Sequence, residues 1–385
     1  MSKRILIIGT GFAGIWSALA AKLVRPRLYE AHASNLTHAV GPLFKEAGIE
    51  FVQGTVTTIN AESNSVLVRS ASGTESNIAY DRLILAARSS VVRPKSISGV
   101  HEYAFNIDSL DAAVKLEAHL HTLSSLPSSP ARDTIVVCGS GFTGLEIATE
   151  LPNRISNPHT KIIVVESADQ LGPELGPGPR PIITQALDGL HIEYKLGSPV
   201  TAIDADSVTL ASGERIETKT AIWTAGMRAT PLTQQIPAPK DNLSRLKVDR
   251  HLRVPLFNNI YATGDAAHAA VDDLGHFTLQ SCQHAMPMGR VSGHNATADL
   301  LGEPLMEYQQ IWYNLCLDLG AWGTVVAQGW EREVKLTGDV AKRGKQFINQ
   351  KLIYPPVDAG EALKQANPVG PSTDQIFEYV IKAVA

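Results

Sequence analysis

Two glycine fingerprints of the form G-x-G-x-x-G constrain the fold of this 385-residue chain most strongly. One spans residues 9–14 (GTGFAG) and the other spans residues 139–144 (GSGFTG). Each follows a short apolar run and precedes an apolar helical pattern. The first glycine of such a motif permits a tight turn, the second lets a pyrophosphate approach the backbone, and the third lets the helix pack on the strand. The pair therefore predicts two dinucleotide-binding units of strand, turn and helix.

The second fingerprint, in the stretch TIVVCGSGFTGLEIATE (134–150), continues as a complete unit. A further apolar strand at residues 161–165 ends in Glu166. An acidic side chain at this place can accept hydrogen bonds from both ribose hydroxyls of an adenosine and repel a 2′-phosphate. This half of the sequence therefore predicts an NADH site.

The first unit departs from this plan after its helix, predicted at residues 15–23. A ribose-binding acid is expected about 20 residues after the glycines, and Glu30 has that spacing. The run before it, residues 24–29, is short, basic and interrupted by Pro26, which argues against a central strand. Two interpretations stay open. Either Glu30 is the ribose acid on a degenerate strand, or a loop and the true second strand are missing between residues 21 and 25; we favour the latter.

The order of predicted elements recurs in the two halves of the chain. A fingerprint, alternating β-strands and an apolar strand that ends in small residues occur at residues 9–87 and again at 139–226. A strand ending in Gly-Asp (257–267) and a helix (289–301) follow, and the tail predicts short strands and a helix near 339–349. The sequence therefore predicts an α/β fold with two Rossmann-like, doubly wound dinucleotide-binding domains and a C-terminal β/α cap.

Composition argues against several other classes of protein. A net charge of −4 gives no electrostatic reason to expect nucleic acid or an anionic membrane as a partner. No apolar run approaches the roughly 20 residues of a transmembrane helix, and peripheral membrane contact is not expected. The three cysteines, Cys138, Cys282 and Cys316, lack C-x-x-C spacing, so we expect no disulfide framework and a cytoplasmic location. The histidines show no metal-site spacing, and no metal is predicted.

Three motifs in this order resemble those of the flavoprotein reductases with two dinucleotide-binding domains: residues 9–14 (GTGFAG), 139–150 (GSGFTGLEIATE) and 262–267 (ATGDAA). Within this pyridine nucleotide-disulfide oxidoreductase superfamily the chain most closely resembles the type II NADH dehydrogenase-like branch, over nearly its whole length. The resemblance implies hydride transfer from NADH C4 to flavin N5, then delivery to a quinone-like or other small-molecule acceptor. It also implies three regions: an FAD-binding domain at 1–108 and 236–305, an NAD(H)-binding domain at 109–235, and a cap or homodimerisation region at 306–385.

The same resemblance implies roles for individual residues. Glu146 would lie near the nicotinamide and isoalloxazine rings as the catalytic residue, and Asp265 would bind the ribityl or pyrophosphate part of FAD. The other residues implied on the FAD side are Gly9, Gly11, Phe12, Ala13, Gly14, Arg27, Arg88, Gly264 and Gln283. Those implied on the NADH side are Gly139, Gly141, Phe142, Thr143, Gly144, Glu166 and Gly226.

The chain departs from this family at two places in the FAD site and at one place in the acceptor site. In similar proteins a segment like residues 25–30 follows the second strand and its acid, which implies that this strand is missing here. Arg88 stands where the family has a small residue, and it would either pair with the FAD diphosphate or obstruct it. Pro287 and Met288 replace the glutamine pair of the quinone-reducing members, so the acceptor need not be a membrane quinone. Two other functions therefore stay open: an NAD(H)-binding protein that has lost FAD binding and catalysis, and a reductase for a ferredoxin- or rubredoxin-type partner.

Overall fold

The computed structural model of the chain describes residues 3–18, 41–371 and 373–384. Arg27 and Glu30, which the sequence singled out, lie outside these residues. Helices and strands are interspersed through the described part of the chain, and three of its sheets, with five, three and two strands, consist of parallel strands. This mixed α/β architecture confirms the predicted fold class.

The N-terminal part of the chain contributes to a parallel sheet and a separate antiparallel meander. Its strands are β1 (Ile5–Ile8), β2 (Thr55–Asn60), β3 (Ser65–Arg69), β4 (Glu75–Ala79), β5 (Arg82–Leu85), β6 (Ser89–Val91) and β7 (Ala104–Phe105). Its helices are α1 (Phe12–Ala18), α2 (Gly41–Glu46) and α3 (Leu110–Leu123). β1 and β5 pair in parallel, whereas β2, β3 and β4 form the meander. α3 begins after Ser109, whose side chain accepts a hydrogen bond from the Ala112 amide and so caps the helix.

The middle of the chain forms a five-stranded parallel sheet in the order β10-β9-β8-β14-β7. Its elements are β8 (Thr134–Cys138), α4 (Phe142–Arg154), β9 (Lys161–Val165), α5 (Arg180–Gly189), β10 (Glu193–Lys195), β11 (Val200–Ile203), β12 (Ser207–Leu210), β13 (Arg215–Glu217), β14 (Thr220–Trp223) and β15 (Met227–Ala229). Every residue of β8 is buried, as its apolar run predicts for a central strand covered on both faces. β11, β12 and β13 form the second antiparallel meander.

The last part of the chain completes the first parallel sheet and then forms the cap. Its elements are β16 (Leu246–Lys247), β17 (Ile260–Ala262), β18 (Ala267–His268), α6 (Cys282–Leu301), β19 (Asn314–Asp318), β20 (Thr324–Gln328), β21 (Glu333–Thr337), α7 (Gly338–Phe347), α8 (Ala359–Gln365) and α9 (Thr373–Val384). β17 lies beside β5, which gives the order β1-β5-β17. β19, β20 and β21 form an antiparallel sheet on which α7 packs, as predicted for a β/α cap.

Helix α6 begins seven residues earlier than the sequence predicted. The prediction of residues 289–301 was wrong at its start because the N-cap is Ser281, whose side chain accepts a hydrogen bond from the His284 amide. Pro287 lies inside this helix, which tolerates the proline there although proline usually marks the end of a helix. Among the described residues, no helix is long and apolar enough to cross a membrane.

Candidate functional site

The first glycine fingerprint forms a tight turn between β1 and α1. Gly9 has a φ of 114°, which side chains with a Cβ rarely adopt. A Cβ on Gly14 would lie closer than 3.0 Å to the Gly9 carbonyl oxygen, so the glycine lets α1 pack directly on the turn. Gly264, after β17, approaches the same helix, and a Cβ on it would lie 2.6 Å from the Ala13 Cβ. These contacts bring the turn, with Phe12 at the start of α1, to the carboxyl edge of the first parallel sheet.

Arg88 covers this turn from the end of β5. Its φ of 64° is the left-handed conformation that glycine adopts most easily, in agreement with the small residue that the family has there. The Arg88 Nη2 donates a hydrogen bond to the Asp108 carbonyl oxygen at 3.0 Å. Its Cγ would lie 3.2 Å from a Cβ on Gly11. The arginine therefore lies along the glycine at which a dinucleotide phosphate approaches the backbone.

The residues around this turn fit FAD. Asp265, in the 3₁₀ turn after β17, accepts a hydrogen bond from the Ser89 hydroxyl at 2.5 Å. The neighbouring Thr263 hydroxyl is buried and has no hydrogen-bond partner within the described residues. The glycine turn is thus surrounded by a hydrogen-bond acceptor (Asp265), an unpaired buried hydroxyl (Thr263) and the Arg88 cation. This set of groups suits the mixed polar and anionic groups of a dinucleotide.

The second glycine fingerprint repeats this geometry at the carboxyl edge of the five-stranded sheet. Gly139 has a φ of 108°, and a Cβ on Gly144 would lie closer than 3.0 Å to the Gly139 carbonyl oxygen. Gly141 is the N-cap of α4, which starts at Phe142 and Thr143. Gly226, with a φ of 92°, forms the adjacent turn after β14. The predicted NADH-side glycines therefore meet at one edge of the sheet.

Glu166 lies at the end of β9 beside the same turn. Its Oε2 accepts hydrogen bonds from the Ser140 amide (2.7 Å) and hydroxyl (2.8 Å). Its Oε1 accepts from the Ala168 amide (2.9 Å) and the Ser167 hydroxyl (3.1 Å). Burial raises the pKa of Glu166, but these hydrogen bonds lower it by more, so the carboxylate is ionised. Because two of the four donors are hydroxyls that can rotate, the carboxylate retains the ability to accept from ribose hydroxyls.

Glu146 lies further along α4 and pairs with the cap. Its Oε1 is 2.8 Å from the Lys345 Nζ, and the two side chains are 4% and 5% exposed. The same oxygen accepts a hydrogen bond from the Asp318 amide at 3.2 Å. Lys345, on α7, also donates to the Cys316 carbonyl oxygen at 2.5 Å and lies 4.8 Å from the centroid of the Phe142 ring. The cap therefore completes the surroundings of the predicted catalytic residue.

The start of α6 is also joined to the cap. Gln283 Oε1 accepts a hydrogen bond from the Asn314 amide on β19 at 3.1 Å. His284 is fully buried, its Nδ1 lies 3.2 Å from the Tyr308 hydroxyl, and its ring stacks on Tyr313 with centroids 5.3 Å apart. Burial, together with the charges of two arginines, Arg332 and Arg245, lowers the pKa of His284 to about 3, so the imidazole is neutral.

The structure therefore brings the predicted residues together as two groups, one at each parallel sheet, with Gln283 and Glu146 each tied to the cap. Sequence reasoning missed two residues of these surroundings. Lys345 is 199 residues from Glu146, and no spacing rule connects them. Glu174, in a 3₁₀ turn at Pro173–Leu175, lies beside Gly141, and no motif in the sequence singled it out.

Comparison with known proteins agrees with this pair of turns. Residues 3–289 match the family described as pyridine nucleotide-disulphide oxidoreductase. A NADH dehydrogenase-like protein of Mycobacterium tuberculosis is 38% identical, over 93% of this chain and 96% of that protein. A demethylphylloquinone reductase of Synechocystis is 27% identical, over 91% of each chain.

Solved structures show the same fold at lower sequence identity. The NDH2 of Plasmodium falciparum, solved in complex with NADH, has a TM-score of 0.69 at 16% identity and covers 95% of this chain and 98% of its own. The sulfide:quinone oxidoreductase of Aquifex aeolicus has a TM-score of 0.74 at 17% identity, over 98% of this chain and 95% of its own. The family match and the 38% identical relative settle the assignment. This chain belongs to the pyridine nucleotide-disulphide oxidoreductase family and is an oxidoreductase.

Proposed function

We propose that this protein holds FAD, oxidises NADH and passes the electrons to a quinone-type acceptor. One observation carries the proposal: two closed G-x-G-x-x-G turns lie at the carboxyl edges of two separate parallel sheets, so one chain offers places for two dinucleotides. The relatives named as a NADH dehydrogenase-like protein and a demethylphylloquinone reductase support the direction of electron flow and the class of acceptor.

FAD would be held at the first sheet, within the predicted domain formed by residues 1–108 and 236–305. When bound, FAD accepts a hydride from a reduced nicotinamide and delivers electrons to a second acceptor. The Arg88 stem lies beside Gly11, so its guanidinium can balance the charge of a diphosphate that approaches this backbone. Asp265 accepts hydrogen bonds from hydroxyl groups of the cofactor, as it does from Ser89.

NADH would bind at the five-stranded sheet, in the predicted domain at residues 109–235. Glu166 accepts hydrogen bonds from the ribose hydroxyls and disfavours a 2′-phosphate by charge repulsion. Glu146 orients the nicotinamide by accepting a hydrogen bond from its carboxamide. Lys345 holds the Glu146 carboxylate in place through their buried ion pair.

The acceptor is proposed at the start of α6, where Gln283 and His284 contact the cap formed by residues 306–385. Pro287 and Met288 in this helix are unlike the glutamine pair of the quinone-reducing members. We therefore propose a small quinone-type acceptor that need not reside in a membrane. The three cysteines are free thiols, which supports the cytoplasm as the compartment.

Purification of the full chain and measurement of its absorbance test this proposal directly. A yellow protein that oxidises NADH, with transfer to a water-soluble quinone and not to a ferredoxin, supports it. A colourless protein that still binds NADH would instead indicate a binding protein that has lost its flavin. Faster reduction of a ferredoxin than of the quinone would indicate the reductase alternative.

A further inference from the structure

The Glu174 side chain lies beside Gly141, where the lack of a Cβ leaves the backbone of the second fingerprint accessible. Its Oε1 would lie 2.6 Å from a Cβ on Gly141, the glycine that permits phosphate approach. The amide of Phe142, at the first turn of α4, donates a hydrogen bond to the same carboxylate. A carboxylate that accepts from the N-terminus of a helix makes the contacts that a dinucleotide diphosphate makes there.

The loop around Glu174 is packed in place on both sides. Leu175 is buried in the core beneath α4, and the Gly172 amide donates a hydrogen bond to the Ser140 hydroxyl at 3.1 Å. On the other side, a Cβ on Gly176 would lie 2.7 Å from the Arg332 Cγ of the cap. The fold therefore brings residue 174 to the fingerprint, whatever side chain it carries.

The carboxylate of Glu174 packs against α4, while the rest of the residue faces solvent. Residue 174 is exposed to solvent, so its carboxylate can turn away without unfolding the loop. Desolvation against α4 raises the pKa of Glu174, and the negative charge of Glu166 adds to this rise. Both effects disfavour the negative charge of Glu174 at this place.

We propose that the Glu174 carboxylate occupies the diphosphate position of the NADH site and that NADH binds only after this carboxylate turns away. The inference rests on the proposed function, since it takes the second fingerprint as the NADH site. The diphosphate and the carboxylate are both anions that need the same amide donors, so they exclude each other. Residue 174 thereby sets the affinity of the protein for NADH.

The test compares wild type with Glu174→Gln in the full chain as purified, titrated calorimetrically with NADH and separately with ADP-ribose. Glutamine keeps the size and an acceptor oxygen but removes the charge. We expect the Kd of both ligands to fall by about tenfold, because the charged competitor and its strong hydrogen bond are lost. Asp188→Asn, an exposed charge change on α5, serves as the matched control and should leave both Kd values unchanged.

Each outcome decides between the alternatives. An unchanged or weaker affinity in Glu174→Gln, with measurable binding to wild type, overturns this inference and leaves the proposed function intact. A gain for NADH without a gain for ADP-ribose also overturns it, because the effect would then lie at the nicotinamide. If neither protein binds either ligand, the proposed NADH site itself is wrong.

Discussion

Glu146 and Lys345 form a buried ion pair, with Oε1 and Nζ 2.8 Å apart, across 199 residues of sequence. The pair ties α4, which begins at the NADH-side fingerprint, to α7 of the cap. Two buried charges gain little net stability from each other, because their attraction mostly offsets the loss of hydration. Removal of one partner, in contrast, leaves a buried charge without compensation.

Loss of Lys345 should therefore destabilise the protein more than loss of both partners. We expect Lys345→Met to lower the free energy of unfolding by about 3–5 kcal/mol, and Glu146→Gln/Lys345→Met to recover most of this loss. The double variant should nevertheless oxidise NADH more slowly than the wild type, since the carboxylate that orients the nicotinamide is absent. Denaturant unfolding and steady-state kinetics measure the two effects. Lys364→Met, at a side chain that is 80% exposed, is the control. Full activity in the stable double variant would contradict the role of Glu146.

Replacement of the third glycine in either fingerprint should abolish the binding of one dinucleotide and leave the binding of the other intact. Gly14→Ala and Gly144→Ala each place a Cβ closer than 3.0 Å to a backbone carbonyl oxygen of the turn, so strand and helix must move apart. We expect Gly14→Ala to lose FAD and retain NADH binding, and Gly144→Ala to retain FAD and lose NADH binding. Flavin absorbance and calorimetric titration with NADH measure this, and each variant is the control for the other. Loss of both ligands in each variant would mean that the two turns are not separate sites.

Glu166 should select NADH over NADPH. Glu166→Gln removes the charge that repels a 2′-phosphate, and we expect the ratio of kcat/KM for NADPH to that for NADH to rise about tenfold. Steady-state rates with both nucleotides provide the ratio. Glu214→Gln, an exposed carboxylate on the same part of the chain, should leave it unchanged. Equal or better use of NADPH by the wild-type protein would contradict the assignment of Glu166.

Arg88 should strengthen FAD binding rather than obstruct it. Arg88→Ala retains a Cβ in the left-handed conformation and removes the cation together with its aliphatic stem, and we expect FAD affinity to fall by about tenfold. Arg88→Lys retains the positive charge and should bind FAD more tightly than the alanine variant. The Kd follows from flavin fluorescence after removal and readdition of FAD. Tighter binding in Arg88→Ala would show that the arginine obstructs the cofactor.

His284 should make the folded state sensitive to acid. Its pKa is about 3 in the folded protein, whereas an unfolded histidine has a value near 6.5. Between these two values the unfolded chain therefore binds more protons than the folded chain. The free energy of unfolding has its full value above about pH 6.5 and falls as the pH drops toward 3. His284→Phe removes this titration, and Tyr308 keeps its hydrogen bond to Gln310.

We expect the wild type to lose about 2 kcal/mol more than His284→Phe between pH 7 and pH 5. Denaturant unfolding at a series of pH values measures the difference. The exposed His121→Phe serves as the control and should follow the wild type. Parallel curves for wild type and His284→Phe would show that the imidazole is not buried in its neutral form.

The sequence by itself determined the two turns and the order of their strands. A tight strand–turn–helix unit depends on residues within about 30 positions of each other, and the glycines record its requirements directly. The start of α6 was predicted seven residues too late, and the cap at Ser281 decided it.

Only the tertiary structure decided which side chains surround those turns. Lys345 reaches Glu146 from the cap, and Arg332 packs against the loop that carries Glu174. Such contacts join segments that are far apart in the chain, and they depend on how sheets and helices pack rather than on any local pattern. The glycines of a binding turn can therefore be recognised from their spacing in the sequence. The charged side chains that pair with a site residue, or compete with its ligand, are determined only by the folded chain.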